Sequence, residues 1–224
     1  MIALDDVHKR YWTNRGEAVW ALRGVSATFP ARRNVAVIGA TGAGKSTLLR
    51  LIAGIDQPTR GSIASDRRVS WPIGQTRGLQ PNLTGRQNAR FVCRIQGIGE
   101  ERVGERVNFV HEFSELGEAF DQPVSSYSKG MRARLNFALS VAFDFDVYLV
   151  DENMGAGGGE DFFREKTRNA MKYLARRADL IIATHSERLV RSFCQSALWL
   201  CEGRGYWFDS ADEAWREHAR QVAA

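Results

Sequence analysis

The sequence is short of the residues that staple a small fold or hold a structural metal. Its cysteines are Cys93, Cys194 and Cys201, an odd number with no CxxC pair, which fits reduced thiols better than a disulfide frame or a zinc site. The histidines, His8, His111, His185 and His218, are equally scattered. Long hydrophobic runs are missing as well. The stretch from Phe137 to Val150 is broken by Ser140, Asp144 and Asp146, so nothing approaches the roughly 18 to 20 apolar residues of a membrane span. The opening, MIALDDVHKR, has acids where a signal peptide has basic residues and then an apolar segment, which points to the cytosol. There is no block of like charge. The net charge of +5 is spread over pairs such as Arg32 and Arg33, Arg67 and Arg68, and Arg176 and Arg177. A solvated surface accounts for these, attraction to anionic lipid or a polyanion is the sharper alternative, and no nucleic-acid partner is expected. No repeat occurs, and the one low-complexity segment is GAGGG at 155–159.

What is present is a chain long enough for one sizeable core, and a single domain over 1–224 is expected. Six β-type runs begin at Ile2, Val25, Val35, Val147, Leu180 and Ala197, the last four apolar enough for buried strands of a mainly parallel sheet. Helical patterns begin at Leu48, Arg86, Val103, Met131 and Phe162, and a last short helix is expected after Ser210, which has capping-box spacing to Glu213. In the third pattern Val103, Val107, Val110 and Phe113 fall on one face. Three consecutive helical patterns without a strand predict a helical subdomain, about 84–143, inserted into an α/β core.

Chemistry enters at residues 34–47, NVAVIGATGAGKST: a hydrophobic strand, then GxxxxGKS, then an apolar helix, the order a phosphate-binding P-loop requires. The loop Gly39, Ala40, Thr41, Gly42, Ala43, Gly44, Lys45, Ser46 and Thr47 is expected to wrap the phosphates of a nucleotide such as ATP. Its glycines let backbone N–H groups approach, Lys45 reaches the β- and γ-phosphates, and Ser46 binds Mg²⁺. The run VYLVDE ends in two carboxylates at a strand's C-terminal edge, where open α/β sheets place ligands. Asp151 is expected to hold Mg²⁺ and Glu152 to orient the attacking water. LIIATHS ends a third strand in His185, within reach of the γ-phosphate. Tyr11 or its neighbour Trp12 offers a ring for adenine. The cluster SSYSKGMRARL at 125–135 runs into a helix start, a second and weaker phosphate-binding feature.

The P-loop, Ser-Gly helix start, acid pair and strand-terminal histidine, in that chain order, resemble the nucleotide-binding subunit of ABC transporters. The resemblance implies that Tyr127, Ser128, Lys129, Gly130 and Met131 form the signature motif. Ser128, Lys129 and Gly130 would then close on ATP held by a second copy, in a head-to-tail homodimer. It also implies a loop glutamine near Mg²⁺, either Gln75 or its rival Gln80. Lys129 and Met131 depart from the common signature, and Gly158 stands where an aspartate is usual. The phrases VSWPIG, NLTGRQNARFVCRIQG, YSKGMRARLNFALSVAFDFDVYLVDE and THSERL are similar to the ATPase subunit of bacterial capsular-polysaccharide exporters. That implies a peripheral subunit on the cytoplasmic face of the inner membrane, a separate ABC-2 type permease and periplasmic export partners. Other polysaccharide exporters, of O-antigen or teichoic acid type, and soluble ABC ATPases or P-loop kinases remain the alternatives.

Overall fold

The computed structural model describes residues 1–73, 78–151 and 161–223. In chain order the elements are β1 (Ile2–Trp12), β2 (Ala18–Phe29), β3 (Val35–Ile38), α1 (Lys45–Ile52), β4 (Arg60–Ser65), α2 (Gly85–Ile95), α3 (Glu100–Ser114), α4 (Lys129–Val141), β5 (Val147–Asp151), α5 (Asp161–Arg177), β6 (Asp179–Ala183), α6 (Glu187–Phe193), β7 (Ser196–Cys201), β8 (Arg204–Phe208) and α7 (Ala211–Ala223). They divide into two compact units. The first comprises Met1–Pro72, Phe145–Glu152 and Tyr173–Ala224; the second comprises Ile73–Asp144 and Asn153–Lys172. None of the helices, among the described residues, is long and apolar enough to cross a membrane.

The first unit is an α/β fold with two sheets. Five strands run in the order β5-β6-β3-β7-β8, with β5, β6, β3 and β7 parallel and β8 antiparallel to β7. The second sheet, β2-β1-β4, is antiparallel throughout. β3 is buried at every residue because each of its faces is covered. Val35 and Val37 join a core with Leu48 and Leu49 of α1 and with Ile2, Leu22 and Val25 of the antiparallel sheet. Ala36 and Ile38 face a second cluster with Val190 of α6 and Ala211 and Ala214 of α7. Two-sided burial is what turns alternation into the continuous apolar runs seen in the sequence.

The expected strands are all present, and several are longer than their apolar cores. Two further strands carry little signal. β4 reads RGSIAS and is an exposed edge with Ile63 half-buried at its centre. β8, RGYWF, caps the other sheet beside β7. The short α6 is capped by Ser186, which accepts from the Leu189 N–H.

In the second unit, α3 packs against both α2 and α4. Its buried face is Val103, Val107, Val110 and Ser114. Phe113 stands half a step aside, ring to ring with Phe109 and Phe137 at 5.6 and 5.8 Å. Helix α2 starts with a complete capping box: Gln87 N–H donates to the Thr84 hydroxyl, and the Thr84 N–H to the Gln87 side chain. Asn88, 1% exposed, is the hub of the preceding loop. Its amide donates to the carbonyls of Gln80, Leu83 and Thr84 at 3.1, 3.2 and 2.9 Å, and its oxygen accepts the Gln80 N–H at 2.8 Å. Removing that side chain strands several buried backbone groups. Asn88→Ala is therefore expected to cost about 2 to 3 kcal/mol in chemical denaturation, and Thr84→Ala about 1 kcal/mol; equal losses would contradict the hub role.

Candidate nucleotide site

β3 ends at the loop and α1 leaves it, with Gly44 as N-cap at φ 101° and no acidic residue in the first turn. A bare helix N-terminus with its N–H groups unused attracts phosphate. The loop is closed by Ala43 N–H donating to the Ala40 carbonyl at 3.1 Å, and Leu48 N–H donates to the Gly44 carbonyl at 2.8 Å. Ala40, Thr41, Gly42 and Ser46 are exposed, while Thr47 is half-buried.

Two glycines are fixed by close approach. A Cβ on Gly39 would lie 2.3 Å from the Leu200 carbonyl oxygen, and one on Gly44 would lie 2.5 Å from that of Ala21. Gly42 has open space around it.

Lys45 is 8% exposed. Its ammonium donates to the carbonyls of Gly39 and Ala40 at 2.8 and 3.0 Å and meets His185 Nε2 at 2.8 Å. An ammonium has no acceptor, so Nε2 accepts and the imidazole proton sits on Nδ1. Register brings the remaining groups to the same edge. Asp151 lies opposite Ala183, and Ala183 opposite Val37, so the Asp151 carboxylate, His185 and the start of the loop share the C-terminal edge of β5, β6 and β3. Thr184 N–H donates to the Val37 carbonyl at 3.2 Å, and the Ser186 N–H to the Thr184 hydroxyl at 2.9 Å, which fixes the strand exit on either side of His185. Asp151 is 3% exposed and Ser46 is open at the helix start. Both are oxygen donors, the type Mg²⁺ takes, and among the described residues no cluster of three or more His, Cys, Asp or Glu offers a competing metal site.

At the other end of the first unit's β1, the two aromatic candidates differ. The Tyr11 hydroxyl donates to Asp56 at 2.9 Å and accepts from Arg50, and Lys9 and Arg50 stand 5.1 and 5.5 Å from the ring centre. Trp12 is 65% exposed, with Arg10 over its ring. Asp56 is held below the usual carboxylate range: burial raises it, and hydrogen bonds from Lys9 and Tyr11 outweigh that.

The second unit carries the Ser-Gly helix start. Ser128 is the N-cap of α4 and accepts from the Met131 N–H at 3.2 Å, while Lys129 is exposed and Gly130 half-buried. Tyr127 anchors this turn from behind: it is 2% exposed, its hydroxyl donates to the Ala119 carbonyl at 2.6 Å, and a Cβ on Gly85 would strike it. Gln80 is exposed, with its backbone clamped by Asn88. Gln75, Glu152 and Gly158 lie outside the described residues.

Two supporting residues have no sequence signature. Asn88 is one. The other is His218 of α7, buried among Trp199 and Trp215. Burial, and then His185 and Lys45, push its pKa below the ordinary histidine range.

The family model for ABC transporters matches residues 22–155. The chain belongs to the ABC transporter family. Among curated relatives of this ABC protein is the polysialic acid transport ATP-binding protein KpsT of Escherichia coli, 41% identical over 99% of this chain and 100% of the relative. The capsule polysaccharide export ATP-binding protein CtrD of Neisseria meningitidis is 38% identical over 96% of this chain and 97% of its own. The solved dimer of the ATP-binding cassette MJ0796 with ADP and Pi bound shares the fold at TM-score 0.76 and 23% identity, covering 92% of this chain and 96% of that one.

The loop geometry yields a graded expectation. Gly44→Ala adds a steric clash to an unfavourable φ, whereas Gly42→Ala carries only the left-handed penalty of about 1 to 2 kcal/mol. In the nucleotide-free protein Gly44→Ala should lower stability by at least about 2 kcal/mol more than Gly42→Ala; equal melting temperatures would contradict the packing described.

Proposed function

We propose that this chain is the ATP-hydrolysing subunit of a capsular-polysaccharide exporter, acting as a homodimer on the cytoplasmic face of the inner membrane. The observation that carries the reading is end-to-end identity of 41% with a polysialic acid transport ATP-binding protein, joined to a loop whose lysine and strand-end groups face one edge. Each site is composed of one copy's P-loop and the other copy's Ser128, Lys129 and Gly130. A separate ABC-2 type permease receives the motion and periplasmic partners carry the glycan onward.

The chemistry assigned to this chain follows from its donors. The triphosphate offers Lys45 a better acceptor than the Gly39 and Ala40 carbonyls, so the ammonium transfers to the β- and γ-phosphates while loop N–H groups wrap them. Lys45 leaving His185 frees Nε2, which donates to the γ-phosphate once it takes up a proton or the imidazole changes tautomer. Glu152 orients the attacking water, and Tyr11 supports adenine, with Trp12 the more exposed alternative. Ser46, Asp151 and a loop glutamine, Gln75 or Gln80, would hold Mg²⁺, which when bound neutralises phosphate charge. Contact with γ-phosphate from both copies makes closure depend on intact ATP, so hydrolysis reopens the pair.

Glu152→Gln should retain ATP binding and accumulate a closed dimer while lowering turnover by roughly a hundred-fold or more. Undiminished hydrolysis would remove Glu152 from its role. For export itself, the chain supplied to a strain lacking its capsule-export ATPase should restore surface polysaccharide, and Lys45→Ala should not; restoration by Lys45→Ala would refute the assignment.

A further inference from the structure

At the opposite, N-terminal edge of the parallel sheet, the first unit holds a cavity of about 550 Å³. Arg32, Arg67, Arg176 and Arg177 line it with Asp179, where the chain enters β6. The floor is built from fixed polar contacts. Asp179 accepts the Arg32 N–H at 2.9 Å and Arg67 Nη1 at 3.0 Å, and Arg67 also donates to the Asp146 carbonyl at 2.9 Å. Asn34 accepts the Leu180 N–H at 2.8 Å and donates to the Phe193 carbonyl at 2.9 Å, while Gln195 accepts the Asn34 N–H at 2.8 Å.

Four guanidinium groups face Asp179 in the lining and, with the Asp146 carboxylate 3.9 Å from Arg67 Nε, leave a surplus of two positive charges. The C-terminus of α5, where Arg176 and Arg177 sit, offsets about half a charge. Among the described residues, Arg32 and Arg176 have no ion-pair partner. Arg32 also holds a left-handed backbone, φ 61°, which a glycine would adopt at lower cost. A carboxylate would neutralise one charge, whereas a phosphate monoester carries about −1.5 to −2 and offers three acceptors to planar forks. A water occupies about 30 Å³ of liquid, so the space takes a group larger than one orthophosphate.

We propose that this cavity binds a phosphate-bearing anion, of the diphosphate or phosphoester class, at a site separate from the P-loop. Such a group could come free in solution or as a lipid headgroup, and the two sources separate experimentally. Inorganic pyrophosphate is titrated by calorimetry into the full chain with Lys45→Ala, which weakens the contribution of the P-loop, so that the loss caused by the arginine changes reports the cavity. In parallel, flotation compares phosphatidylglycerol with phosphatidylcholine vesicles. The test variant adds Arg32→Gly, which suits the left-handed backbone, and Arg176→Ala, leaving the Arg67–Asp179 pair intact; Arg176→Glu alone is the second variant.

Saturable pyrophosphate binding weakened about tenfold or more by these changes supports a free anion. Binding to phosphatidylglycerol vesicles alone, lost in the same variants, supports a headgroup. In the chain that keeps Lys45, the arginine changes should alter ATP affinity less than about twofold. The proposal is overturned if neither probe binds, or if both bind the variants as well as the parent.

Discussion

A cation taken out of water has to be matched group by group, and Lys45 is the cation on which this site depends. An unmatched buried ammonium costs several kcal/mol. Here two loop carbonyls and the His185 imidazole receive it. Those carbonyls converge because Gly39 and Gly44 let the loop lie against the Leu200 and Ala21 backbone. The same contacts that bury the lysine therefore shape the loop.

Parallel register does the rest within the first unit. Strands β5, β6 and β3 are aligned so that Asp151, the exit to His185 and the entry to the loop fall on one edge. A one-residue slip would turn Asp151 to the opposite face. The second unit is organised differently, by buried polar side chains rather than by a sheet. Asn88 clamps the loop around Gln80, and Tyr127 fixes the turn that presents Ser128. In each unit the candidate residues sit on backbone held from behind by buried contacts.

How much of this the sequence discloses follows from what each feature needs. Strands such as VAVI and VYLVD stand out because burial on both faces makes them apolar throughout, and the glycines, lysine and serine of the P-loop are adjacent in the chain. The edge strand RGSIAS is invisible because an exposed edge needs no apolar run. Spacing predicts Phe113 on the α3 core face; Ser114 is buried there instead, and the Phe113 ring packs to one side with Phe109 and Phe137. His218 and the arginine cavity are convergences of residues distant in sequence, and the Asn88 hub depends on a local loop conformation that carries no sequence pattern, so all are visible only once the chain is folded. The arginine pairs that read as ordinary surface charge are brought together by the starts of β3 and β6.

On the proposed function, each ATP site needs a P-loop from one copy and a Ser-Gly helix start from another. Lys45→Ala spoils the first and Ser128→Arg the second, so each variant alone should be inactive. Mixed in equal amounts with exchange allowed, they form pairs in which one site is intact, and about a quarter of parental ATPase activity should return. Activity that stays at the sum of the two separate variants, with exchange of subunits demonstrated, would contradict the account.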